Sequence, residues 1–390
     1  METRASRWNS REEIADAEGD GQEDGRQEAV GNKDDREEDR GKKGTETVAG
    51  AVVTVPSAPR GAVACRGPSL GVGRLHTSVT DQASALTGAW KVTRGAGATV
   101  AVIDEDATAQ FHPEFGRRVR AVRDPSGDGT SHTDRSGTHG INVAGLVLAS
   151  GPNVMGLAPA AVLLPLAVLE IRVRTGTRAE AHALQLAANS GADVICCAWA
   201  PPQPSRQTGE LPSHTRDAIN HCLTHGRDGK GCVIVFSAGN DGSDLALNGY
   251  ASHPGVIAVG ACNHLGKHPA YSGWGDALWC VFPSNDPSDP VGATMTYVTT
   301  APAGSLLDGE AYYTTRFGFT SAATAAIAGI CALIVSANPS LTSTEVKAVL
   351  RDSCEKIDVE SETYDERGHN PLYGYGRPDV ARAVELARQR

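Results

Sequence analysis

Aromatic side chains supply only 5% of the residues, and methionine occurs three times. Set beside 40% hydrophobic residues, 44 glycines and 21 prolines, that scarcity suits an α/β chain with many turns and excludes a coiled coil or a collagen. No two cysteines have the C-x-x-C spacing. The nine cysteines are an odd number with one adjacent pair, Cys196 and Cys197, so neither a disulfide framework nor a zinc site is expected, and the thiols read as reduced. Basic stripes are also missing from a chain of net charge -10, which excludes nucleic acid as an expected partner because phosphate neutralisation needs clustered Lys and Arg. Behind Met1–Trp8 comes charge instead of the roughly 7–15 apolar residues of a secretion signal. Sec export is therefore not expected, the cytoplasm is the expected location, and a non-classical export route is left open. The apolar stretch Val154–Ile171 is interrupted by Gly156, Pro159 and Pro165 and reads as core, so no membrane partner is expected.

What is present is organised in three parts. Residues 1–48 carry 15 acidic against 9 basic side chains, including the run Lys33-Asp-Asp-Arg-Glu-Glu-Asp-Arg40. Such a segment buries too little surface to offset its ordering entropy and is expected to be a disordered charged tail. Residues 49–94 are more apolar but broken by Gly and Pro, a linker or a segment wrapping the domain. From residue 95 to 390, short β-branched runs alternate with helical patterns. Ala98–Ile103, Val162–Leu169, Val194–Trp199, Cys232–Phe236 and Val256–Ala261 read as strands buried on both faces, with helices near Asn142–Leu148, Arg178–Asn189 and Ser213–His225 between them. This alternation predicts a mostly parallel sheet with helices on both faces, whose sites form at the carboxyl ends of the strands. Ala322–Ala337 is apolar on every side and predicts a helix running through the middle of the domain. Thr342-Ser-Thr-Glu345 is a capping box opening a further helix to about Cys354.

Four positions at element ends carry chemistry. Asp104 closes the first buried strand, as a strand cap or as a carboxylate that orients a base. His139 begins a helix behind a glycine, where it either bonds the backbone or acts as that base. Ser321 sits in the first turn of the all-apolar helix, either an ordinary N-cap or a nucleophile whose developing oxyanion faces the positive helix end. Asn240, after a buried strand, is a turn residue or a side-chain amide donor. Elsewhere, His221 and His225 lie one turn apart on a helix but read as its solvated end. Asp124, Asp128 and Asp134 read as a solvated acidic loop.

Taken together, Asp, His, Asn and Ser follow one another in the chain order of the subtilisin triad with its oxyanion donor. Val100-Ala-Val-Ile-Asp104, His139-Gly-Ile-Asn-Val-Ala-Gly145, Val235-Phe-Ser-Ala-Gly-Asn240 and Thr320-Ser321-Ala322-Ala323 resemble the matching segments of the subtilisin-like serine peptidases, the subtilases. So do the connectors Gly156-Leu-Ala-Pro159 and Leu372-Tyr-Gly-Tyr-Gly-Arg377, with a bacterial and kexin-like flavour. The resemblance spans about residues 95–388. It implies a three-layer subtilisin-like fold and a serine endopeptidase that cleaves protein or peptide substrates. Catalysis is assigned to Asp104, His139 and Ser321, and oxyanion binding to Asn240. Ala198, Trp199, Ala200, Gly239, Gly249 and Phe319 are assigned to substrate binding. No metal is placed among the site residues and no cofactor is certain, while the resemblance allows calcium. The oligomeric state is left open.

Departures from the family pattern accompany the match. Phe319 stands where the family has glycine, Ala325 where it has proline, and Ala198-Trp199-Ala200 where it has Ser-x-Gly. Asp104-Glu105-Asp106-Ala107 loses the glycine that normally follows the aspartate by two. The alternative these departures raise is a subtilase-fold pseudopeptidase that binds peptides or partners without turnover. Deleting residues 1–48 is expected to leave the melting temperature unchanged, because that segment has no apolar face to dock. A drop of more than a few degrees in a thermal melt would show that it packs.

Overall fold

The computed structural model describes residues 69–70, 85–105, 112–120, 137–151, 154–168, 177–200, 209–294, 297–302 and 312–390. Within them, β1 (Thr99–Asp104), β2 (Val162–Ala167), β3 (Val194–Cys197), β4 (Val233–Ser237), β5 (Val256–Cys262) and β6 (Leu278–Pro283) form one sheet ordered β2-β1-β3-β4-β5-β6. Every pairing in it is parallel. The helices are α1 (His139–Leu148), α2 (Thr177–Asn189), α3 (Ser213–His225), α4 (Phe319–Ala337), α5 (Ser343–Asp352) and α6 (Val380–Gln389).

Successive strand residues point to opposite faces, and the two faces feed separate apolar clusters. Val100 and Val102 join α1, α4, α5 and α6 on one side, while Ala101 and Ile103 join α2 and α3 on the other. This is the three-layer arrangement expected for short strands that are apolar at every position. The chain leaves β1 to form β2 on one flank, then crosses to form β3 on the other. The carboxyl end of β1 is thus the point where strand order reverses, the place where open α/β sheets build their sites.

Helix α4 is buried at every residue from Thr320 to Val335. It is long and apolar enough to cross a membrane, but its apolar surface is enclosed by the rest of the fold. Small residues make that possible. A methyl group at Gly329 would come within 2.7 Å of Leu157 Cβ and 3.3 Å of the Val147 carbonyl, so α4 lies against the end of α1 with no side chain between.

Some boundaries differ from the periodicity, for physical reasons. Helices α1 and α4 begin at His139 and Phe319, three residues ahead of the expected starts, because the first turns His139-Gly140-Ile141 and Phe319-Thr320-Ser321 mix polar and apolar residues without a clear apolar repeat. The capping box forms as expected: Thr342 Oγ1 accepts from the Glu345 N–H and Glu345 Oε2 from the Thr342 N–H. Helix α5 stops at Asp352, however, since Cys354–Glu355 pairs with Arg377–Pro378. The packed body also starts ahead of the boundary drawn at residue 95. A helical segment over 85–90 buries Leu86 and Ala89, and Trp90 Nε1 donates to the Leu157 carbonyl at 2.8 Å.

An antiparallel hairpin, β7 (Tyr297–Thr300) and β8 (Tyr313–Phe317), was not legible from periodicity. The hydroxyls of Thr299 and Thr300 donate to the carbonyls of Asn142 and Ile141 in α1, at 2.8 and 2.6 Å. Gly145 lets the hairpin approach, because a methyl there would fall on both threonine hydroxyls and 2.9 Å from Thr300 N. Gly145→Ala is accordingly expected to cost about 1–3 kcal/mol through overpacking. An unchanged urea midpoint would show that the hairpin yields without strain.

Candidate active site

The carboxyl edge of three neighbouring strands supplies the groups. Asp104 ends β1, Ala198 follows β3, and Ser237 ends β4 ahead of Asn240. Because the strands are parallel, these ends lie on one edge of the sheet.

Asp104 is fully buried, where an unpaired carboxylate would be costly. It is satisfied by His139, whose Nδ1 lies 2.9 and 3.0 Å from its two oxygens, and by the Glu105 N–H at 2.8 Å. A carboxylate accepts, so the hydrogen between the two groups sits on His139 Nδ1. The ring of Phe317, the last residue of β8, stands edge-on to His139 with centroids 5.7 Å apart. Burial pushes the nearby Cys196 thiol far up, and the Asp104 charge adds to that shift.

Ser321 is the third residue of α4 and is 8% exposed. It does not cap the helix, since Gly318 occupies the N-cap position. Its Oγ donates to the Ala198 carbonyl at 2.9 Å, and the amino end of α4 directs its positive dipole to the same place.

Asn240 is exposed, but its orientation is set. Its Oδ1 accepts from Thr320 N at 3.1 Å and from Thr320 Oγ1 at 2.5 Å. Both partners are donors, which settles the amide orientation and leaves Nδ2 directed away from Thr320. Ser237 Oγ is 2.7 Å from Thr320 Oγ1. Since the single Thr320 proton goes to Asn240, Ser237 donates. Neither Ser237 nor Thr320 was singled out from sequence; the available signal was their position at a strand end and beside Ser321.

Phe319 lies in the left-handed region at φ 57°, a conformation that costs a non-glycine residue about 1–2 kcal/mol. The turn is held from both sides. Its N–H donates to Asn285 Oδ1 at 2.6 Å and its carbonyl accepts from Ser284 Oγ at 2.9 Å. The ring is 40% exposed and stands edge-on to Tyr271 at 4.8 Å. Burial pushes the Tyr271 phenol well up, so it stays protonated and donates to the Asn285 carbonyl at 2.7 Å.

The other residues expected to bind substrate are placed less openly. Trp199 is 7% exposed. Its Nε1 donates to the Ile103 carbonyl at 2.7 Å, and its ring packs against Phe236 and Tyr250. Gly249 is buried against residues 209–211, and a methyl there would come within 2.7 Å of the Gly209 carbonyl. Gly239 turns the chain at φ 96° to reach Asn240, and Ala200 is half-buried. Away from this edge, His221 Nε2 is 2.9 Å from Asn189 Oδ1 and its ring stacks on His225. Asp124, Asp128 and Asp134 lie outside the described residues.

A model of the subtilase family matches residues 95–376. The chain is 39% identical over 319 residues to a calcium-dependent protease of Nostoc sp., covering 77% of this chain and 48% of that protein. It is 29% identical over 259 residues to kexin of Candida albicans, covering 64% and 26% respectively. Its fold matches fervidolysin of Fervidobacterium pennivorans, described as a keratinolytic enzyme related to subtilisin, with a TM-score of 0.60 at 21% identity over 77% of this chain and 45% of that one. The chain thus spans about half the length, or less, of these relatives.

Proposed function

The chain belongs to the subtilase family, and from that premise we propose that it is a serine endopeptidase acting through Ser321, His139 and Asp104. The observation that carries this reading is the bond from the His139 ring to the buried Asp104, on the same sheet edge as the start of α4.

In this mechanism Ser321 Oγ turns from the Ala198 carbonyl to attack a peptide carbonyl carbon, and its proton passes to His139 Nε2. Asp104 stabilises the resulting imidazolium and holds its tautomer. The oxyanion is met by Asn240 Nδ2 and the Ser321 N–H. Collapse of the tetrahedral intermediate breaks the C–N bond, His139 returns the proton to the leaving amine, and water then cleaves the acyl ester by the same steps in reverse. An extended protein or peptide substrate runs along the segment Ala198–Ala200, which follows the end of β3 at Cys197. Peptide binding without turnover, the alternative raised by Phe319, draws no support from the relatives, which are named as proteases.

Calcium dependence is in the name of the Nostoc relative. Among the described residues, no group of three or more His, Cys, Asp or Glu side chains is placed to hold a metal ion.

A fluorophosphonate probe is expected to label wild-type protein at Ser321 and to leave Ser321→Ala and His139→Ala unlabelled; equal labelling of wild type and Ser321→Ala would sink the assignment. Asn240→Ala is expected to fold and to lose about 10²–10³ in kcat, as removal of one oxyanion donor typically does. Phe319→Gly removes an exposed ring two residues from Ser321 and is expected to broaden cleavage of a peptide library. An unchanged profile in a folded variant would show that the ring excludes nothing.

A further inference from the structure

The chain between Asp104 and His139 brings together a second pair of groups besides the triad bond. Glu105 Oε1 accepts from the backbone N–H of Thr138 at 3.0 Å and of His139 at 2.8 Å. These are the first donors of α1, which have no partner within the helix. An N-cap side chain ordinarily takes an N–H two or three residues further on, which leaves these two to another acceptor. Here the N-cap residue Thr138 has φ -118°, ψ -17° and makes no side-chain cap bond. A carboxylate from the end of β1 does the capping instead, and its charge faces the positive end of the helix dipole.

The consequence concerns the histidine. Its ring is bonded to Asp104, its backbone N–H is bonded to Glu105, and the Glu105 N–H is bonded back to Asp104 Oδ1 at 2.8 Å. These three bonds close a ring of contacts through two adjacent residues. One bond to the imidazole sets where the ring points but leaves the helix start able to shift. A second bond, at the backbone of the same residue, removes that freedom.

We propose that Glu105 is a positioning residue, which holds the first turn of α1 so that His139 Nε2 stays in reach of Ser321. It touches neither the reacting atoms nor the bond to be cleaved. The proposal rests on the peptidase reading and deepens it. It also gives a reason for acidic chemistry at the residue after Asp104, in a segment that departs from the family pattern.

The test compares Glu105→Ala, Glu105→Gln and Glu105→Asp in the full chain, with kcat and KM on a peptide substrate and amide hydrogen exchange of the peptide covering residues 137–143. Glu105→Ala removes the acceptor and is expected to lower kcat about 10–100-fold, as small misplacements of a catalytic group do, with KM unchanged and exchange faster. Glu105→Gln keeps an acceptor oxygen at the same reach and is expected to recover most of the loss and to restore protection. Glu105→Asp keeps the charge but withdraws it by one methylene, should fall between, and stands in if the alanine variant does not fold. A rise in KM at constant kcat would make Glu105 a substrate contact and overturn the proposal. So would a glutamine variant as impaired as alanine in kcat yet with wild-type exchange over 137–143, which would separate the loss from the helix start. Unchanged exchange over 137–143 in the alanine variant overturns it whatever the kinetics show. Exchange is read without turnover, so a wild-type protein that cleaves nothing and resists the probe would refute the peptidase reading alone.

Discussion

Helix α4 has no polar face, and its enclosure governs where everything else lies. A helix apolar all round must be covered on all sides, and the sheet, α1, α5 and α6 do so. Close approach to α1 is allowed by Gly329 and continued by Gly145, which admits the β7–β8 hairpin. With the helix axis held in this way, its amino end emerges at the carboxyl edge of β1, β3 and β4. Ser321 stands there because the core leaves α4 no other seat.

Polar groups at that edge are held by bonds more than by packing. Asp104 is wholly buried and accepts from a side chain and a backbone amide. Asn240 is exposed, yet it is oriented by two donors from Thr320, which Ser237 orients in turn. A donor fixed before a reaction begins needs no reorganisation when charge develops, which is the physical basis of oxyanion stabilisation. The eight cysteines among the described residues are free thiols, seven of them buried, and burial pushes their ionisation up, to about 12 for Cys232 and Cys331. They stay protonated and serve as small apolar side chains.

Phe319 shows how a departure from the family pattern is accommodated. The left-handed turn before Ser321 suits glycine, and here a bulky residue adopts it. The cost is offset by hydrogen bonds to Asn285 and Ser284 and by the ring contact with Tyr271. Gly318 remains necessary beside it, since a methyl there would collide with Asn285 Oδ1. The turn into α4 is thereby held by bonds on both sides of Phe319 while its ring stays on the surface.

Much of the fold was legible in the chain itself. Five of the six sheet strands, the sequence of helices between them, the buried character of Ala322–Ala337 and the Thr342–Glu345 cap all follow from periodicities and capping patterns that act over a few residues. Asp104, His139, Asn240 and Ser321 were named from residue type and chain order, and the structure adds that the first two meet in a hydrogen bond. Other features depended on partners distant in sequence. The seat of the Trp199 ring is set by Ile103, Phe236 and Tyr250, none of them its neighbour in sequence. The hairpin of β7 and β8 is short and only partly apolar, and it is anchored by bonds to α1 more than 150 residues earlier. Thr320 is an unremarked neighbour of Ser321 until it meets Asn240, 80 residues before it. Local sequence determined which segments would be strands and helices and which groups were available. The direction of each side chain, and hence which groups meet, was decided only when the sheet edge and the first turns of α1 and α4 were brought together, because hydrogen bonds form between atoms about 3 Å apart in space whatever their separation along the chain.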